Sequence, residues 1–318
     1  MKIFVLVFIL ATVYNLKAVT LQGKNYATFV EFEKKFNLDF KDAEERGYRF
    51  TVFNNNLKEI DRLNIEYPEA TFGITSFTHL TKEEFSKRLL PDNLVTPGSP
   101  DPLPQNFSIK ADPYVDWRSK NVVSSIKNQE DCGDCYAFAT AAAVESYTAI
   151  KTRVLPNLSE QQILDCDSKS NGCTWGYLYS ALDIAKDTGL VTYSNYPYQD
   201  EKETCKSLSG SKYKISGHTW LPHDENAIAA AVSSTGPVPF VMICPSALMH
   251  YTGGVFSMSA DTCKADSIGN HIPLIIGYNS DYWIIKNSWG TGWGEKGFFR
   301  LKKGINACNV TLEARSLY

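Results

Sequence analysis

Beyond Val13 no stretch of the chain is apolar for long enough to cross a membrane, since a spanning helix needs about 20 such residues. Neither sign of charge dominates: the net charge is −3 over 318 residues, which gives no electrostatic ground for a nucleic-acid partner. No internal repeat and no low-complexity tract is present, so a solenoid is not expected. The six cysteines from Cys132 to Cys244 are irregularly spaced, which disfavours a zinc site. No strand leads into Cys132-Gly-Asp-Cys135, so a thioredoxin-type redox dithiol is disfavoured as well. No metal and no other cofactor is called for.

The chain is 43% hydrophobic and 13% aromatic, enough to bury a core for one or two domains. At the N-terminus Lys2 precedes an apolar run from Ile3 to Val13, and Ala18 follows. That order predicts a secretory signal peptide over residues 1–18. The secretory route permits disulfides, so the eight cysteines are read as largely oxidised pairs. It also makes Asn106-Phe-Ser, Asn157-Leu-Ser and Asn309-Val-Thr candidate glycosylation sites. A soluble product in the lysosome or the extracellular space is expected, with no membrane or nucleic-acid partner.

Tyr26, Phe29, Phe32 and Phe36 recur at helical steps among Glu and Lys, which predicts an amphipathic helix. In a second helix Glu45, Arg49, Phe53, Asn56, Ile60 and Asn64 share one face. Gly73 to His79 reads as extended, and Thr81 with Glu84 forms a capping box. Residues 91–104 carry five prolines and read as a linker, so residues 19–104 form one region and 105–318 another. In the second region Cys135 to Ile150 is Ala-rich and predicts a buried helix, and Ser159 with Gln162 predicts another capping box. Pro237 to Ile243, His271 to Tyr278, Tyr282 to Lys286 and Gly297 to Leu301 read as strands. Helices first and strands second is an α+β arrangement, with a cleft between the halves.

Cys135 stands at the start of the Ala-rich helix, where unpaired N–H groups and the helix dipole favour thiolate, the nucleophilic form. Such a nucleophile needs a base, and the base needs an orienting group. His271 is the candidate base, and Asn287 in Asn-Ser-Trp-Gly290 is the candidate orienter. Gln129 is placed to donate its amide, with the Cys135 N–H, to a developing oxyanion.

These motifs resemble the papain and cathepsin family of cysteine peptidases. The six-residue helix face from Glu45 to Asn64, Asp116-Trp-Arg118, the Cys132-Gly-Asp-Cys-Tyr136 stretch, Asn270-His271 and Asn-Ser-Trp-Gly290 all carry the likeness. The resemblance implies a papain-like two-lobed fold, with a helical lobe and an antiparallel β-barrel lobe around the cleft. It implies peptide-bond hydrolysis without a cofactor, made as a zymogen whose own propeptide is the inhibitor, and a monomer. It also implies the disulfides Cys132–Cys173, Cys166–Cys205 and Cys263–Cys308, with Cys244 left as a buried apolar residue. Gly176 inherits pairing with the substrate backbone, and Trp289 inherits shielding of the His–Asn bond. Glu313 inherits the floor of the main specificity pocket, with Tyr177 on its wall, so that aromatic and Arg side chains are both expected there. The absence of a His-His insertion between Cys173 and Cys205 implies an endopeptidase. Departures from the family pattern are Glu130, Asp131, Asp134, Tyr136, Trp175 and Pro273, with Thr75 and His79 in the first region. Three carboxylates near one thiolate would raise its pKa, so the rival reading is an inactive relative that binds peptides or partners.

Overall fold

The computed structural model describes residues 23–94, 96–102 and 110–318; the leader-type run, Asn106 and the 104/105 boundary lie outside them. Helix α1 (residues 23–36) and α2 (Ala43–Glu66) pack through Phe29, Phe32 and Phe53. The shared face of α2 turns toward the segment that follows it; of this segment only Ala70–Phe72 is a strand, and residues 76–79, expected as extended, form turns in which Thr78 N bonds Thr75 O and Leu80 N bonds Phe77 O. Asn56 Nδ2 donates to the carbonyls of Thr78 and Leu80, Asn64 exchanges bonds with the Phe72 backbone, and Arg49 pairs with Glu84 at 2.8 Å. An amide that meets two backbone groups of a passing segment acts as a peptide bond would, so the alternation of amide, charge and apolar residue becomes intelligible.

Strand β1 (Ala70–Phe72) and α3 (Lys82–Ser86) complete the first region, and α3 carries the full Thr81/Glu84 capping box. Next come β2 (Val115–Asp116), α4 (Cys135–Thr152), α5 (Glu160–Cys166) and α6 (Leu178–Asp187). The helices build a lobe around α4, whose alanines let neighbours approach from every side, so almost the whole helix is buried. Ser159 caps α5 through the Gln162 N–H, but the box is only half formed. The Gln162 side chain instead bridges Gly189 O and Val191 N, a buried turn that needs both partners.

The remaining elements are β3 (His218–Trp220), α7 (Glu225–Ser234), β4 (Val238–Pro245), β5 (Tyr251–Phe256), α8 (Ala260–Ala265), β6 (Ser267–His271), β7 (Leu274–Tyr278), β8 (Tyr282–Lys286), β9 (Phe298–Lys302) and β10 (Glu313–Leu317). The sheet order is β1-β5-β9-β8-β7-β4-β10-β3, with β6 on β4 and β2 on β7. It is antiparallel apart from β5 beside β9. The single strand expected over His271–Tyr278 is two, because Pro273 offers no N–H and the ladder breaks there. Strand β1 of the first region adds to the edge of the second by pairing with β5. Disulfides join Cys132 to Cys173, Cys166 to Cys205 and Cys263 to Cys308; Cys135 and Cys244 are free and buried.

His79 packs near Phe32 and Phe40, and burial, then the Arg49 and Arg88 charges, holds it down to about 4 from its usual 6.5. The fold therefore favours neutral His79. As pH falls from about 6.5 to about 4 the unfolded chain takes up a proton that the folded one refuses, and the first region loses up to about 3 kcal/mol. His79→Phe keeps the aromatic packing and removes that term. Its unfolding midpoint is expected to change less between these pH values than that of the wild type, as followed by thermal melts; parallel curves would refute the assignment.

Candidate active site

Three elements bring the predicted residues together. Cys135 opens α4, whose first turn faces the sheet lobe. His271 closes β6, and Leu274↔Lys286 pairing between β7 and β8 sets it at the same sheet end as Asn287. His271 Nε2–H donates to Asn287 Oδ1 at 2.7 Å. The other ring nitrogen, Nδ1, is buried with no hydrogen-bond partner among the described residues, free to act on a proton. Ile272, directly after His271, reaches the Cys135 sulfur through its backbone. Trp289 lies over the imidazole at 4.6 Å between ring centres and is only 1% exposed, so water is kept from the His–Asn bond.

Gln129 is held rigidly. Its N–H bonds Ser288 O, its Oε1 accepts from Ser288 Oγ at 2.6 Å, and its amide Nε2 donates to Cys132 O. Gly133 has to be glycine, since a Cβ there would stand 2.5 Å from Cys173 O. Gly176 is likewise confined, because a Cβ would strike the Tyr136 ring at 2.3 Å.

Residues 87–90 of the first region run between the lobes. Leu90 and Asn270 exchange backbone bonds at 2.8 and 2.7 Å, and Arg88 O accepts from Gln129 Nε2 at 2.9 Å. The Arg88 guanidinium packs on Phe77 and Phe85 and pairs with Asp131. Phe77 and Phe85 in turn stand edge-on to Trp289.

Covered in this way, Cys135 and His271 are both fully buried. Burial pushes the Cys135 thiol well up, against the backbone groups of Ile272, Tyr136 and Cys135 itself, and holds His271 down to about 4 despite the Asn287 bond. Burial therefore disfavours the thiolate expected at a helix N-terminus, because loss of water works against the dipole. The carboxylates nearby meet separate fates. Burial drives Asp134 well above the carboxylate range, against the lowering effect of the Tyr198 hydroxyl beside it, so its neutral form is favoured. Asp131 is mostly exposed and paired with Arg88, and Glu130 sits exposed on left-handed backbone at φ 48°.

Glu313 is 1% exposed and lines a cavity of about 540 Å³ with Val241, Ile243 and Leu312. Tyr177 is not on that lining; it packs edge-on to Trp175 and tilted against Tyr179 in an aromatic row. Asn157 is exposed, and half-buried Asn309 lies on the rim of the same cavity. Among the described residues no three His, Cys, Asp or Glu side chains gather as a metal site. Sequence reasoning missed Arg88, Ser288 and Arg315, which touch Asp131, Gln129 and Glu313. For Arg315 a signal existed: it stands two residues after Glu313 on a strand, hence on the same face.

A free thiol and an imidazole held by an amide, with an amide donor beside them, define a nucleophilic acyl-transfer site, and a segment of the same chain closes it. Residues 111–317 match the family described as papain family cysteine protease, and residues 29–85 match the cathepsin propeptide inhibitor domain. The chain belongs to the papain family of cysteine proteases and carries the family's inhibitory propeptide. It is 34% identical to viral cathepsin of Orgyia pseudotsugata multicapsid polyhedrosis virus over 98% of this chain and 97% of that protein. It is 33% identical to a cathepsin L-like proteinase of Phaedon cochleariae over 89% of this chain and 90% of that one. Among solved structures it is similar to procathepsin L 3 of Tenebrio molitor larval midgut, with a TM-score of 0.79, 31% identity and coverage of 92% and 98%.

If Asp134 is neutral, Asp134→Asn changes shape and charge little. The acid limb of the kcat/KM pH profile is expected to stay in place. A shift of that limb by about one unit to lower pH would mean that an ionised carboxylate stands beside the sulfur.

Proposed function

We propose that residues 105–318 are a cysteine endopeptidase in which Cys135 attacks the substrate carbonyl and His271 serves it as acid and base. The thiolate adds to the carbonyl carbon, the C–N bond breaks, and His271 gives its proton to the leaving amine. Water then hydrolyses the thioester, and His271 takes the proton that water releases. Asn287 fixes the imidazole, and the Gln129 amide with the Cys135 N–H meets the oxyanion. The observation that carries this reading is the His271–Asn287 bond under Trp289, in the same cleft as the Gln129 amide and the Cys135 sulfur. Gly176 pairs with the substrate backbone.

Residues 19–104 act as the inhibitor and are removed on activation, which returns water to the cleft and lets the thiolate–imidazolium pair form. Occupation of the Gln129 amide by Arg88 O supports this, because a substrate carbonyl needs the same donor. Residues 1–18 direct the chain into the secretory pathway, toward lysosome or extracellular space, and three disulfides suit that route. Exposed Asn157 is the sequon best placed for a glycan, and the protein acts as a monomer.

Activated wild-type protein is expected to cleave peptides and to be labelled at Cys135 by an epoxide probe, while Cys135→Ala does neither. Gln129→Ala should retain labelling and lower kcat about 10²–10³-fold. Absence of labelling and of cleavage across a broad peptide library, with the disulfides intact, would overturn the proposal.

A further inference from the structure

Two acidic residues line the 540 Å³ cavity, Asp92 from the first region and Glu313 from the second, and Glu313 is already engaged. Arg315 Nε donates to its Oε1 at 2.5 Å, with the two side chains 7% and 2% exposed. The Arg315 guanidinium cannot swing aside. Trp220 stacks on it at 4.9 Å and Tyr179 at 5.8 Å, and its Nη1 stands 3.3 Å from His218 Nδ1. The other carboxylate oxygen, Oε2, accepts from Thr96 Oγ1 at 2.5 Å. Thr96 and Leu94 belong to the segment that is removed on activation, so in the zymogen a hydroxyl and an apolar side chain of that segment form part of the cavity wall.

We infer that Arg315 sets the selectivity of this pocket: it closes Glu313 into an internal ion pair, so the pocket takes an aromatic side chain ending in a hydroxyl and turns away arginine and lysine. The assignment rests on the peptidase reading above. A second guanidinium at Glu313 would face the first across one carboxylate in a poorly hydrated site, and Lys264 on the same lining adds to the repulsion. A neutral hydroxyl satisfies Oε2 without adding charge, as Thr96 does, and an apolar group leaves that acceptor unpaired. Tyrosine combines the hydroxyl with a ring for the Val241, Ile243 and Leu312 wall.

The test uses matched peptides with Tyr, Phe or Arg as the second residue before the scissile bond. It measures kcat/KM with activated wild type and Kd with activated-length Cys135→Ala. Tyr should exceed Phe by a few-fold, and Arg should fall about tenfold or more below Phe. Arg315→Met should raise the Arg peptide about tenfold relative to Phe, because Glu313 is then free for the substrate guanidinium. The wild-type ranking needs no variant to fold: Arg within about threefold of Phe overturns the inference. If wild type cleaves nothing but Cys135→Ala binds in the order Tyr, Phe, Arg, the peptidase reading falls and the role of Arg315 stands. If Cys135→Ala binds the Arg peptide as tightly as the Tyr peptide, the role of Arg315 falls whatever the activity.

Discussion

Residues 87–90 keep water from Cys135 and His271, and that desolvation decides the protonation of both. In water a helix N-terminus and a nearby imidazole lower a thiol pKa. Under the prosegment the same sulfur is pushed up and the same imidazole is held to about 4, which favours the neutral pair. On the proposed function, inhibition has two physical parts. One is steric, the Arg88 carbonyl on the Gln129 amide. The other is electrostatic, since the charged pair cannot form in a site without water.

Holding an extended segment in a cleft against its entropy demands docking elsewhere. The propeptide supplies that docking with backbone groups. Strand β1 joins the sheet edge at β5, Gly73 N bonds His250 O, and Ser76 N bonds Gly292 O. Side chains from α2 then hold the segment from behind, through Asn56, Asn64 and Arg49. Phe77 and Phe85 reach Trp289, which itself covers His271. The first region therefore leans on the same indole that covers the His271–Asn287 hydrogen bond, so docking and site geometry share one surface.

Much of this was legible in the chain. Helical spacing located the α2 face, and Thr81 with Glu84 marked a real cap. Tyr282 to Lys286 was read as the strand it is, and the α+β order of helices then strands holds. What escaped reading depends on partners distant in sequence. Strand β5 holds two adjacent glycines, Gly253 and Gly254, which weaken a strand signal, and only pairing with β1 and β9 makes it extended. The half-formed Ser159 box looked complete because Gln162 has the right spacing; the turn at Gly189–Val191 claims its side chain. Arg88 lay in a stretch read only for its cap and its linker, so nothing local linked it to Asp131.

The unusual acids around the nucleophile gave the strongest reason to doubt catalysis, and the doubt assumed three like charges near one sulfur. The fold separates them. Burial favours the neutral form of Asp134, and a neutral acid opposes a thiolate less than a carboxylate would. Asp131 points outward to a guanidinium, where solvent and Arg88 share its charge. Glu130 occupies a left-handed residue that favours glycine, at a local cost of roughly 1–2 kcal/mol, yet its side chain is exposed. Proximity in sequence thus overstated proximity in charge. Only the position of each side chain, one inside the lobe and two on its rim, decides what the sulfur feels: of the three, Asp134 is the one that acts on Cys135, and burial opposes its ionisation.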